Sequence, residues 1–123
     1  MGTFAVRVRV WKVGDPKRAR ELELLVDTGS TYTVIDSDVL RGIGVEPRRE
    51  VPLRIADGSV VKRDYGEVGV EIEGLEVSAT PVIFGDKGVF LLGAVTLEQL
   101  GLAPDPVQKR LVPTTAFMMF LVC

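Results

Sequence analysis

Short alternating runs separated by turn residues dominate the chain. Phe4, Val6, Val8 and Val10 alternate with Arg7 and Arg9, the period-two pattern of a strand with one wet face. Gly14-Asp15-Pro16-Lys17 is turn chemistry, and residues 19–26 predict a returning strand. That strand is polar early (Arg20, Glu21, Glu23) and wholly apolar late (Leu24-Leu25-Val26), so it drives inward and delivers Asp27 at its end. Thr31 to Ile35 is β-branched and aromatic and predicts another short strand. Asp36 or Ser37 can cap a short helix that Gly42 and Gly44 stop.

Further along, apolar arms at 51–55 and 60–62 flank Ala56-Asp57-Gly58-Ser59, a hairpin signal. Residues 67–72 alternate again, 75–78 and 81–84 continue, and Gly85-Asp86-Lys87-Gly88 turns the chain. Val89-Phe90-Leu91-Leu92 reads as a buried strand ending at Gly93, with Thr96 as the cap of a second short helix closed by Gly101. Asp105-Pro106 breaks the chain. A strand is expected at 108–112 and a last, strongly apolar one at about 115–123. The pattern describes an all-β fold with one or two short helices. Strand, glycine-bearing turn and helix recur twice, at 24–45 and 90–102, which suggests an internal pseudo-twofold; only the first copy carries an acid in its turn.

Composition narrows the class. At 123 residues the chain is one domain, 1–123, with room for a single core. Fifteen basic against 17 acidic residues, a net charge of −2, make no case for nucleic acid or an anionic membrane. Histidine is absent, which removes Ser-His and Cys-His catalysis and most zinc sites. No metal or cofactor is expected. The one cysteine, Cys123, cannot form an intrachain disulfide, and a reducing, cytoplasmic compartment is the default. The N-terminus alternates and does not read as a signal peptide, and the apolar stretch 116–122 is too short for a membrane helix.

The candidate chemistry is Asp27-Thr28-Gly29-Ser30. An acid, two hydroxyls and a glycine at the end of a buried strand are costly unless they satisfy one another or do chemistry. The same residues also make an ordinary turn, so their neighbours decide. Asp36 and Asp38 read as helix caps, Asp64, Asp86 and Asp105 as turn acids, and Trp11 and Tyr65 as packing residues.

Four features in order then carry a resemblance: the buried run into Asp27-Thr28-Gly29-Ser30 with Val34-Ile35, the hairpin at 56–59, the segment 70–84, and Phe90-Leu91-Leu92-Gly93 with its helix. From about residue 4 to 102 the chain resembles the retropepsin-like, retroviral-type aspartic proteases, single-domain relatives of pepsin. The resemblance implies a closed, barrel-like acid-protease fold. It implies catalysis by Asp27, with Thr28 bonding across a dimer, Gly29 allowing close approach and Ser30 bonding the outer carboxylate oxygen. It further implies a flap at about 51–65 whose tip is Ala56, Asp57, Gly58 and Ser59, over a cleft walled by apolar residues such as Val34, Ile55, Val82, Phe84 and Leu92.

Two carboxylates must share a proton in this chemistry, and the chain has one Asp-Thr-Gly. The second carboxylate is therefore expected from an identical subunit, making the partners a second copy and a peptide or protein substrate. The acid and arginine that pair in retroviral members are both missing, replaced by Thr31 and Tyr32 and by Ala94 and Val95. The apolar tail is expected in the dimer interface or the core. The alternative is a non-catalytic module of the same fold that dimerises or binds peptides; a third, weaker reading is an unrelated small barrel that binds a ligand.

Overall fold

The computed structural model describes residues 3–119. Among these residues nine strands, two α-helices and a 3-10 turn at Pro16–Arg18 follow the chain: β1 (Ala5–Lys12), β2 (Arg20–Val26), β3 (Thr33–Asp36), α1 (Ser37–Gly42), β4 (Arg49–Arg54), β5 (Val60–Ile72), β6 (Leu75–Gly85), β7 (Phe90–Leu92), α2 (Ala94–Leu100), β8 (Leu102–Asp105) and β9 (Arg110–Pro113). Seven strands form one sheet in the order β1-β2-β7-β3-β6-β5-β4. β1 also pairs with β5, so six strands close into a barrel and β4 is left outside on β5. The all-β barrel expected from the pattern is present.

Alternation puts Val8 and Val10 of β1, Leu24 and Val26 of β2, and Val68, Val70 and Ile72 of β5 into one core, with Val82, Phe84, Leu92 and Leu97. Burying side chains of this size stabilises by roughly 1.5–3 kcal/mol each before entropy is set against it. The closure between β1 and β5 turns on Trp11, paired with Gly69 and 3% exposed. A Cβ at Gly69 would lie 2.0 Å from the indole nitrogen, so the ring takes the space a side chain there would need. The β5–β6 register shifts between Val68 and Val70, a bulge that bends the strand where the barrel shuts.

Several boundaries differ from expectation. The runs at 60–62 and 67–72 are one 13-residue strand, because Arg63, Asp64 and Tyr65 continue the pairing with β4. Asp64 is thus a strand residue opposite Glu50, not a turn acid, and it faces Arg41 at 3.7 Å. Residues 75–85 are likewise continuous. Asp105 closes β8, a strand the pattern did not announce, which pairs with β9. No strand forms at 114–119, and Phe117, Met118 and Met119 are 80–90% exposed, so this part of the expected C-terminal strand has no ladder and is not in the core. The rest of that expectation, 120–123, lies outside the described residues. Among the described residues no helix is long and apolar enough to cross a membrane.

Asp36 ends β3 and caps α1. Its Oδ1 accepts the Asp38 N–H at 2.8 Å, and its Oδ2 accepts the Gly88 N–H at 2.9 Å from the turn between β6 and β7. The Gly88 and Asp38 amides hold the carboxyl below its ordinary pKa of 3.8. The folded value is the lower one, so this stabilisation is full above pH 3.8 and disappears as pH falls through the folded pKa. Asp36→Asn keeps one acceptor oxygen and loses the other. Its melting temperature is expected below that of wild type at pH 7, with the gap closing in thermal scans taken progressively below pH 3.8.

Candidate active site

β7 lies between β2 and β3: it is parallel to β2 (Leu25↔Leu91, Val26↔Leu92) and antiparallel to β3 (Val34↔Leu91, Ile35↔Phe90). The connection from β2 to β3, residues 27–32, must therefore cross the end of β7. Asp27 is the first residue of that crossing. Its N–H donates to the Leu92 carbonyl oxygen at 3.0 Å, carrying the ladder one step past the strand. Its carbonyl oxygen accepts the Ser30 N–H at 3.1 Å, and its Oδ1 accepts the Gly29 N–H at 3.0 Å. Asp27 is half-buried, while Thr28 and Gly29 are exposed at the tip of the loop.

Beneath the loop the chain leaves β7 through Gly93 into α2. A Cβ there would stand 2.3 Å from both C and O of Tyr32, so only glycine lets the two backbones pass. Main-chain bonds then tie loop to helix: the Ala94 N–H donates to Ser30 O at 2.8 Å and the Val95 N–H to Thr31 O at 3.0 Å. These are the positions where an acid–arginine pair is missing, and the backbone joins the two segments without it.

A buried hydroxyl chain supports the crossing. Thr33 Oγ1 accepts the Gly93 N–H at 3.1 Å and shares a 2.7 Å hydrogen bond with Thr96 Oγ1, which is 2.8 Å from Thr80 Oγ1. All three threonines are 0% exposed. Thr96 was expected to cap α2, but Gly93 occupies that position and α2 begins at Ala94. The hydroxyl is turned instead toward β3 and β6, linking three elements under Asp27. A buried threonine trio is visible in sequence only as scattered β-branched residues, which is why this network was missed.

The other expected site residues divide. Asp27, Thr28, Gly29 and Ser30 share the loop. The Ser30 hydroxyl, however, donates to the Tyr32 carbonyl oxygen at 2.7 Å and not to the carboxylate, because the tight turn brings that acceptor within reach. Ala56, Asp57, Gly58 and Ser59 form the tip of the β4–β5 hairpin, exposed throughout. The tip is closed by Gly58 N–H to Ile55 O and Ile55 N–H to Ser59 O, each 2.9 Å. Asp57 Oδ1 accepts both the Ser59 hydroxyl (2.6 Å) and its N–H (2.8 Å), bonds that hold the Asp57 carboxyl below the usual range. The acid at this tip therefore locks the turn. No hydrogen bond among the described residues joins the tip to residues 27–32.

Of the expected cleft walls, Val34 is half-buried and Ile55 exposed, but Leu92, Val82 and Phe84 are core residues. With Leu92 facing inward, alternation turns Leu91 outward, and Leu25 beside it is 37% exposed. Leu25 and Leu91, paired across β2 and β7 two residues from Asp27, are the apolar surface that the sequence reading missed. Strict period-two counting from Asp27 was the signal for them. Among the described residues no group of three or more His, Cys, Asp or Glu is placed to hold a metal ion.

A closed barrel whose one Asp-Thr-Gly loop crosses a strand between its own flanking strands defines an acid-protease type of domain. Comparison agrees: the profile of a family described as aspartyl protease matches residues 6–96, well over half of the chain. The chain belongs to this retropepsin-like aspartyl protease family. No curated protein gives a significant match.

The hydroxyl chain yields a direct test. Thr96→Val preserves shape and deletes one hydroxyl, leaving buried partners on Thr33 and Thr80 short of a hydrogen bond. Urea unfolding is expected to show a loss of about 1–3 kcal/mol.

Proposed function

We propose that the protein is an aspartic endopeptidase that works as a homodimer, with Asp27 of each protomer forming the catalytic dyad on the twofold axis. The observation that carries this reading is Asp27 itself. It is held at its main chain by Leu92 and Ser30, its carboxylate has one intrachain N–H donor, and its loop tip lies open. Membership of the aspartyl protease family supports the reaction class. A single such loop per chain supports completion by a second copy.

In the proposed reaction one Asp27 is ionised and takes a proton from the attacking water. The partner's Asp27, protonated, hydrogen-bonds the scissile carbonyl oxygen and passes its proton to it as charge develops there, giving a tetrahedral diol. Collapse of the diol breaks the C–N bond; the Asp27 that took the water's proton gives it to the leaving nitrogen, and the partner's Asp27 takes back a proton from the diol. Thr28, exposed beside the acid, is placed in this reading at the subunit contact. The 56–59 hairpin serves as the flap, and the cytoplasm is the compartment.

Catalysis is tested by incubating the protein with an unfolded protein and a peptide library from about pH 3 to pH 8. Cleavage by wild type with a bell-shaped pH profile, and loss of at least about 10³-fold in Asp27→Asn with dimerisation kept, is the expected result. The alternative, a non-catalytic dimerisation or peptide-binding module, predicts no cleavage by wild type at any pH and a higher melting temperature in Asp27→Ala.

The dimer has its own test. Phe117, Met118 and Met119 are 80–90% exposed in the single chain, apolar area that a second copy would cover. Replacing all three with serine is expected to raise the dimer Kd by about tenfold or more in sedimentation equilibrium. An unchanged Kd would move the interface elsewhere.

A further inference from the structure

One arginine beside the proposed cleft is held in place yet has nothing to hold. The Arg49 guanidinium lies over the Tyr65 ring, 4.4 Å from its centroid, and Tyr65 meets Tyr32 edge-on at 5.6 Å and 83°. Tyr32 belongs to the loop that begins at Asp27. The column thus runs from β4, the strand that leads into the hairpin, to the loop that carries the acid.

Register gives the same connection through the backbone. Arg49 pairs with Tyr65, Tyr65 with Ile83, Ile83 with Val34, Val34 with Leu91, and Leu91 with Leu25, two residues before Asp27. At about 4.8 Å per strand, Arg49 lies roughly 14 Å along the sheet from Val34, a span an extended peptide covers in about four residues.

Charge distinguishes Arg49 from its neighbours. Arg48 is paired with Glu67, Arg41 with Asp64 and Arg63 with Asp86. Arg49 has no ion pair and donates no hydrogen bond among the described residues. An open cavity of about 380 Å³ is lined by Arg48, Arg49, Tyr65 and Glu67. Arg48 and Glu67 neutralise each other there, so the uncompensated charge in the cavity is that of Arg49. A guanidinium held over an aromatic ring loses less freedom when it binds than one free in solvent, and its N–H groups suit a carboxylate.

We propose that Arg49, carried on Tyr65 and Tyr32, forms a subsite that selects an aspartate or glutamate side chain in the peptide substrate several residues from the scissile bond. This rests on the cleft reading above and deepens it: the apolar surface of Leu25 and Leu91 takes the residues at the bond, and Arg49 sets an acidic preference at a distance from it. The guanidinium and a carboxylate make paired N–H···O bonds, and the Tyr65 ring beneath the guanidinium limits where it can move.

The test uses peptides identical except for Glu, Gln or Lys at each position within five residues of a cleaved bond, in both directions. Wild type is expected to prefer Glu over Gln by about tenfold in kcat/KM at one distal position, with the preference shrinking as salt rises. In Arg49→Ala the Glu-to-Gln ratio falls to about one, and in Arg49→Glu the preferred residue becomes Lys. Because each ratio is taken within one variant, a partial folding defect cancels. Tyr65→Leu is expected to lower the ratio without inverting it.

Peptides ending in a free carboxylate or an amide at that position separate side-chain recognition from capture of a chain terminus; preference only for the terminal acid overturns the proposal. Cleavage with no acidic preference at any position also overturns it. If wild type cuts nothing, the protease reading fails separately, and binding decides the subsite. Fluorescence anisotropy of labelled Glu and Gln peptides then either shows Arg49-dependent selectivity, which supports the subsite, or equal affinities, which sink it.

Discussion

Passage of the Asp27 loop over the end of β7 is the constraint on which the rest of the structure depends. β7 is only three residues long, yet it pairs on both edges, with β2 on one side and β3 on the other. A strand inserted between two sequence neighbours forces their connection to cross it, and that crossing is where Asp27 sits. The close approach at Gly93, the main-chain bonds from Ala94 and Val95, and the buried hydroxyls of Thr33, Thr96 and Thr80 all follow from that one topological fact. Each removes a way for the loop to move, and none touches the carboxylate. The loop is thereby rigid at its base and chemically free at its tip, which is what a positioned acid requires.

Legibility in the sequence followed the range of the signal. β1, β2 and the hairpin at 56–59 were readable because alternation and Asp-Gly chemistry are local. The α1 cap at Asp36 was readable for the same reason. What failed depends on partners remote in the chain. β5 runs unbroken through Arg63, Asp64 and Tyr65 because β4 pairs along it, although those residues look like a polar gap. Thr96 resembles a helix cap, and its hydroxyl is claimed by Thr33 and Thr80, which are 63 and 16 residues away. The apolar tail looks like a strand by composition, but β9 ends at Pro113, the Thr114 N–H makes one further bond to the Gly101 carbonyl oxygen at 2.8 Å, and 115–119 form no strand among the described residues.

The candidate site was legible in its loop, whereas the apolar residues expected to wall it were not. Asp27-Thr28-Gly29 announces itself because polar residues end an apolar run. Val82, Phe84 and Leu92 lie in runs apolar on both faces, where composition cannot say which side chain faces the core. In a closed barrel the inner face is filled first, and these three fill it. The outward residues Leu25 and Leu91 are the ones left over, and only counting alternate positions along the paired strands separates them from their buried neighbours.

Three aspartates show how the same side chain is put to different use. Asp36 gives both oxygens to backbone amides, from Asp38 and Gly88, and joins a helix start to a distant turn. Asp57 directs one oxygen at the hydroxyl and the amide of Ser59 and closes a hairpin tip. In both, donors hold the ionised form, and the pKa is lowered because the fold uses the charge. Asp27 accepts a single amide hydrogen bond, from Gly29, on Oδ1. A carboxylate has about four acceptor positions, so most of its capacity is directed away from its own chain. An acid whose bonds were all made internally could not bind a water or share a proton with a second acid. The property that separates Asp27 from the structural aspartates is therefore incompleteness, held rigidly in place by a base in which the buried threonine hydroxyls all have partners.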